Sequence, residues 1–282
     1  MKREAFLDHY IYNGQAYATE DMDIFDQVCT PIIYEVIRII DGVPLFLEEH
    51  LDRMRKSGDL LGVKIKKSDE EITAEIFELI KINRYKDMNV KLLCSNINGE
   101  KQDFFTYFIE SHYPEDQVYK KGIHTILYYS ERENPNAKVM NTFLRENVNK
   151  MIQKEKAYEA ILVNNGGYIM EGSRSNMFFV KDEILYTASS KDVLLGVTRK
   201  RILKVCKDLD IDVREQAIYE KEISSLDGAF MSGTSVNVLP ISSINQVKLN
   251  SVCNGLIEKI AEGYKKEMEM YMNRRKFNYL QK

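Results

Sequence analysis

The residues most able to do chemistry in this 282-residue sequence sit in three short runs of small and hydroxyl-bearing side chains. Leu194-Leu-Gly-Val-Thr198-Arg199 puts a glycine and a threonine where a helical pattern begins. Such a start presents backbone N–H groups and a hydroxyl to an anion, although Thr198 as a plain helix cap reads the same way. Met231-Ser-Gly-Thr234-Ser235 follows an apolar run and precedes Val236-Asn-Val-Leu-Pro240. Its small polar residues suit a nest for phosphate or carboxylate, and equally an ordinary turn. Glu171-Gly-Ser-Arg-Ser-Asn176 lies between two strand-like runs, where its acidic head either faces a ligand or is a solvated loop charge. Two anion loops and a carboxylate together suit a phosphorylated ligand with a basic ring nitrogen.

Other chemistries are poorly supported. The four histidines, His9, His50, His112 and His124, show no metal-pair spacing, and no HExxH, Gly-x-Ser-x-Gly or P-loop occurs. That argues against a zinc site or a Ser-His-Asp hydrolase, and no metal is expected. Cys29, Cys94, Cys206 and Cys253 form no CxxC pair and read as free thiols in a reducing compartment. With 40 basic and 43 acidic side chains, the net charge of −3 lacks the excess that a nucleic-acid binder carries. No apolar run approaches the roughly 18–20 residues of a membrane helix. The start reaches Glu4 and Asp8 without the apolar stretch of a secretory signal. A soluble, cytoplasmic protein is the expectation, with no nucleic-acid or membrane partner.

The elements that must position these residues follow from hydrophobic periodicity. Residues 33–40 are β-branched, alternate at first, and close at the Asp41-Gly42 turn signal. Leu47, Leu51, Met54 and Leu61 recur at helical spacing, as do Ile72, Ile76, Leu79 and Ile80 after the capping-box pattern Ser68–Glu71. Strand-like runs follow at 89–95 and 103–110. The stretch around 112–121 is polar and unperiodic and reads as an interdomain linker over 114–121. Beyond it come a strand at 123–129, a helix at about 141–157 and a strand at 159–163. Asn165-Gly166 is a hairpin signal, with strands at 167–171, 176–181 and 183–187, then helices at 198–209 and 251–272. The pattern is α+β, with one domain over 1–113, a second over 122–282, and a cleft between them. The charged, methionine-rich segment 265–282 reads as a solvated tail rather than a dimer-edge helix.

Taken in order, these motifs resemble the fold-type IV pyridoxal-phosphate enzymes: branched-chain and D-amino-acid aminotransferases and aminodeoxychorismate lyase. The likeness runs from about Tyr34 to Pro240. It implies a smaller N-terminal α/β domain and a larger C-terminal α/β pseudo-barrel that binds pyridoxal 5′-phosphate. By this resemblance Lys138, in Lys-Val-Met-Asn141, would form the Schiff base, and Glu171 would pair with the pyridine nitrogen. Arg53, in His50-Leu-Asp-Arg53, would hold the phosphate with Val197, Thr198 and Thr234. Tyr34 would line the substrate pocket, with Ser235 beside it. The chemistry is consistent, since a carboxylate against the ring nitrogen keeps it protonated and lets the ring accept electrons. A dianionic phosphate wants an arginine with preformed N–H and hydroxyl donors.

The sequence also departs from the family. The Arg-Gly…Gly-Asp-Gly stretch expected before Tyr34 is replaced by Phe25-Asp-Gln-Val-Cys-Thr-Pro-Ile-Ile33. Where branched-chain enzymes often have Tyr-x-Arg, Asn89-Val-Lys91 offers Lys91 to a substrate carboxylate as a point charge rather than a bidentate fork. The usual Thr-Arg-Gly gives way to Ser95-Asn-Ile-Asn98, and Thr142 and Phe143 lie nearest the position of a cofactor-contacting tyrosine. The Lys-x-x-Asn spacing is closer to the D-amino-acid enzymes and the lyase. The expected activity is therefore a homodimeric aminotransferase acting on an amino acid and a 2-oxo acid. The lyase, releasing 4-aminobenzoate and pyruvate, is the alternative, and a cofactor-binding protein without turnover the third reading.

Overall fold

Strand β1 (Ala5–Tyr12) turns through Asn13 and Gly14, both at positive φ, into β2 (Gln15–Ala18). This two-residue hairpin opens a computed structural model that describes residues 4–132 and 135–280. The β-branched run becomes β3 (Ile33–Ile40), which passes through the Asp41-Gly42 turn into β4 (Val43–Pro44). Helices α1 (Leu47–Leu60) and α2 (Asp69–Asn83) follow, the second with the Ser68–Glu71 capping box formed in both directions. Strands β5 (Asn89–Ser95) and β6 (Asp103–Ile109) complete a six-stranded antiparallel sheet in the order β2-β1-β6-β5-β3-β4.

Strand alternation gives this sheet two different faces. Ile33, Ile37 and Ile39 pack with Leu51 and Met54 of α1 and Ile72, Ile76 and Leu79 of α2. The opposite face is aromatic, with the Phe25 ring centroid 5.1 Å from Tyr10, 4.6 Å from Phe105 and 5.3 Å from Tyr107. One excursion of the chain joins this unit. Residues 137–140 dock on the start of β3, through Tyr34 N–H to Lys138 O (3.2 Å) and Met140 N–H to Ile32 O (3.1 Å).

The second compact unit comprises described residues of 113–136 and 141–270. Its first element lies in the span expected as a linker, where Asp116–Lys121 forms a short helix, α3. Strand β7 (Ile123–Tyr129), helix α4 (Thr142–Glu155), capped by Asn141, and strands β8 (Glu159–Val163), β9 (Ile169–Gly172), β10 (Asn176–Lys181) and β11 (Ile184–Thr187) follow. Helix α5 (Val197–Asp208) precedes β12 (Val213–Glu215), β13 (Gly228–Gly233), β14 (Asn237–Ile244) and β15 (Val247–Lys248). The sheet runs β12-β11-β10-β13-β14-β7-β8-β9, with β15 paired to β14. Its near-continuous apolar strands bury Ile161, Phe179, Ala229, Leu239 and Ile241.

Helix α6 spans Gly255–Leu280, which corrects the expected tail. Glu267 is buried and paired with Arg201 and Lys204 in the second unit. From Tyr271 onward the helix belongs to the first unit. There the Tyr271 hydroxyl accepts the Leu47 N–H (3.1 Å) at the start of α1 and donates to Glu48 (2.8 Å). Phe46, in left-handed conformation at the N-cap, gives α1 no side-chain cap, so Tyr271 supplies that function from a distance. Residues 281 and 282 lie outside the described residues.

Candidate active site

Within the first unit, the helix-facing side of β3 carries one charge among its isoleucines. Glu35 is fully buried and accepts from Arg53 Nε (2.7 Å), Arg53 Nη2 (2.6 Å) and His50 Nδ1 (2.8 Å). A buried carboxylate survives only when paired and hydrogen-bonded. His50 and Arg53 stand three residues apart on α1, so both reach the same acceptor. Burial works to raise the Glu35 pKa, but the Arg53 charge and the hydrogen bonds from Arg53 and His50 overcome it and leave the group at about 2. Burial also pushes His50 down, Arg53 and Lys138 add to that, and Glu35 opposes it. A neutral His50 donates from Nδ1 to the carboxylate, so the longer Arg53 Nη2 contact to the same nitrogen (3.4 Å) is a near approach rather than a bond. Arg53, the expected phosphate ligand, is thus fixed in direction from within the core.

The opposite face of the sheet brings Tyr34, Lys91 and Lys138 together. Lys138 Nζ lies 4.8 Å from the centroid of the Tyr34 ring and Lys91 Nζ 5.4 Å from the same centroid. Lys91 is also 5.9 Å from the Tyr107 ring and is ion-paired with Glu4. At 1% exposure it is one of the most deeply buried cations of the chain. The Lys138 backbone is tied down by its own N–H to Ser57 Oγ (3.0 Å), and that hydroxyl in turn donates to Arg53 O (2.9 Å).

In the second unit, Glu171 is buried near the end of β9. Its Oε2 accepts the Leu194 N–H (3.1 Å), and Arg132 Nε is 3.2 Å from Oε1, an ion-pair contact without hydrogen-bond alignment. The carboxylate borders a cavity of about 350 Å³ lined also by Arg132, Leu162, Met170 and Asp192. The turn after it is tight. Gly172 N–H donates to Ser175 O, and a Cβ on Gly172 would lie 2.0 Å from Ser175 Oγ. Buried Glu159 fastens that turn by accepting from Ser173 Oγ (2.6 Å) and Ser175 Oγ (3.0 Å). Val197 and Thr198 are buried at the first turn of α5, whose N-cap Gly196 has no capping side chain. The first helical bond is Lys200 N–H to Gly196 O, so the N–H groups of Val197, Thr198 and Arg199 precede the ladder. Thr234 and Ser235 form the half-buried turn between β13 and β14.

The model of class IV amino-transferases matches residues 32–244. The chain belongs to this family. It is 26% identical to a D-alanine aminotransferase of Bacillus licheniformis, over 80% of this chain and 83% of that one. It is 25% identical to a branched-chain-amino-acid aminotransferase of Salmonella typhimurium, over 91% and 92% of the two chains. Its fold matches the branched-chain amino acid aminotransferase of Escherichia coli with TM-score 0.83, at 22% identity, over 93% of this chain and 95% of that one. The class IV aminotransferases are pyridoxal-phosphate enzymes, and this chain is one of them.

Residues of this aminotransferase fit that cofactor. Ser232 Oγ is buried without a hydrogen-bond partner among the described residues, beside the expected Thr234. The α5 N-terminus separately offers N–H donors of the kind that phosphate takes. Among the described residues no group of three or more His, Cys, Asp or Glu could hold a metal, and no helix is long and apolar enough to cross a membrane. Glu35, His50, Ser57, Arg132 and Glu159 escaped the sequence reading. Glu35 carried a signal nonetheless, as a charge on the inward face of an alternating strand, which demands a partner.

Proposed function

We propose that this aminotransferase exchanges an amino group between an amino acid and a 2-oxo acid, with Lys138 as its catalytic lysine. One observation carries the assignment: Lys138 Nζ stands over the Tyr34 ring on a segment hydrogen-bonded to both β3 and α1, as a proton carrier that must act at one atom requires. When bound, pyridoxal phosphate supplies an aldehyde that attaches to amines and a ring that accepts the electron pair left at the substrate α-carbon. Lys138 would hold the cofactor through its amine, which, once free, would take the proton from the substrate α-carbon. Glu171, fixed by the Leu194 N–H and Arg132, keeps the ring nitrogen protonated. Arg53, the Val197 N–H and the Thr198 and Thr234 hydroxyls hold the phosphate. Tyr34 and Ser235 border the substrate, and Lys91 takes its carboxylate. The enzyme works as a homodimer in the cytoplasm, and light scattering at twice the chain mass tests the dimer.

Borohydride reduction of the holoenzyme followed by peptide mapping tests the lysine. The cofactor label is expected on Lys138, and label on Lys91 instead would refute the assignment. Lys138→Ala should fold and lack turnover. Titrating the holoenzyme with L- and D-amino acids, with reversal by a 2-oxo acid, names the donor. Pyruvate and 4-aminobenzoate formed from aminodeoxychorismate without an acceptor would establish the lyase instead.

A further inference from the structure

The ion pair between Lys91 and Glu4 has no role in the reading above. Lys91 is buried against the Tyr34 and Tyr107 rings. Aromatic faces attract an ammonium but do not neutralise it, so the carboxylate that balances this charge is that of Glu4. Glu4 is placed differently from its partner. It precedes β1, whose ladder with β6 starts at the Ala5–Ile109 pair, and its side chain remains 30% exposed. Its carboxylate can therefore leave Lys91 for water without breaking a strand bond. Lys91 cannot leave, since it lies in the middle strands of the sheet between β3 and β6.

We propose that Glu4 is an internal rival of the substrate, a tethered carboxylate that holds Lys91 until the carboxylate of an amino or oxo acid displaces it. This rests on the reading of Lys91 as the substrate-carboxylate contact. A group tethered close to its site acts at an effective concentration in the millimolar range or above. Glu4 therefore weakens the apparent affinity for every carboxylate substrate while leaving neutral analogues untouched. It sets a selectivity threshold: ligands that engage Lys91 weakly lose the competition.

The test is equilibrium binding of a 2-oxo acid and of its methyl ester to the holoenzyme and to Glu4→Gln, Glu4→Asp, Lys91→Gln and the Glu4→Gln/Lys91→Gln double variant. Glu4→Gln should tighten the oxo acid at least threefold and leave the ester unchanged. Glu4→Asp, which keeps the charge on a shorter arm, should fall between. Lys91→Gln should weaken the oxo acid, and in that background Glu4→Gln should have no effect, as two changes acting at one contact require. If Lys91→Gln weakens the oxo acid but neither Glu4 variant tightens it, the rivalry is wrong and the Lys91 assignment stands. If Lys91→Gln leaves oxo-acid binding unchanged, both fall. Equal changes for acid and ester in Glu4→Gln would mark Glu4 as a purely structural counter-ion and also overturn the proposal.

Discussion

Replacing Glu35 by glutamine removes one charge from the interior with almost no change of shape. The buried guanidinium of Arg53 then loses the carboxylate that accepts from its Nε and Nη2, and the amide presents an N–H₂ group among donors. Two routes give the cost. A group that titrates at 4.5 when free and at about 2 when folded contributes about 3 kcal/mol to stability near neutral pH. Removing one partner of a buried pair costs roughly 3–5 kcal/mol by general experience. They agree, and for a chain of this size they correspond to a fall of roughly 10 °C in Tm. The folded pKa is depressed, so the contribution is complete above about 4.5 and is lost as pH falls towards 2. Thermal unfolding of wild type and Glu35→Gln, each scanned from pH 7 to pH 3, should show a wide Tm gap that closes over the acid range. A gap of under 2 °C at pH 7, or one that stays constant down to pH 3, would refute the reasoning.

Three further outcomes are expected. Gly172→Ala, whose new Cβ would meet Ser175 Oγ at 2.0 Å and Met177 Cε at 2.6 Å, should cost about 1–3 kcal/mol in denaturant melts and weaken cofactor retention by displacing the turn after Glu171. Tyr271→Phe removes the acceptor for the Leu47 N–H and the donor to Glu48 and should lower stability by about 1–2 kcal/mol, measurable by calorimetry. Cys94 and Cys206 are buried, with thiols pushed up to about 12, whereas Cys29 and Cys253 are exposed. A disulfide reagent at pH 8 should therefore titrate two thiols rapidly in the folded enzyme and four after denaturation.

Where local chemistry decides the structure, the sequence was legible. The alternation of 33–40 gave β3, and the Ser68–Glu71 box gave the start of α2. The glycine and hydroxyl runs at 171–176, 194–199 and 231–235 mark turns because few other residues tolerate such tight backbone. The β1–β2 hairpin went unread despite its Asn13-Gly14 turn, because its strands mix apolar and polar residues too evenly for a clear period. Helix α3 is six residues long, too short to display a helical repeat, so it read as a linker. The continuation of α6 could not be read locally at all. Its buried Glu267 and Tyr271 look like surface residues until Arg201, Lys204 and Leu47 are beside them. The same holds for Lys91, read as a point charge for a substrate carboxylate, whose partner Glu4 lies 87 residues away in sequence.

The Tyr271 cap on α1 also sets a clock on biosynthesis. Leu47 and Tyr271 are separated by 224 residues, and a ribosome adding about 5–20 residues per second needs roughly 10–45 s to make that stretch. For most of that interval, once β6 has been made, the helix bearing His50 and Arg53 lacks its distant cap although every strand of the sheet it packs on has been synthesised. The strands of the first unit are thus made early and the cap late, and a chain truncated before Tyr271 should be cleaved more readily by protease at the helix that orients Arg53.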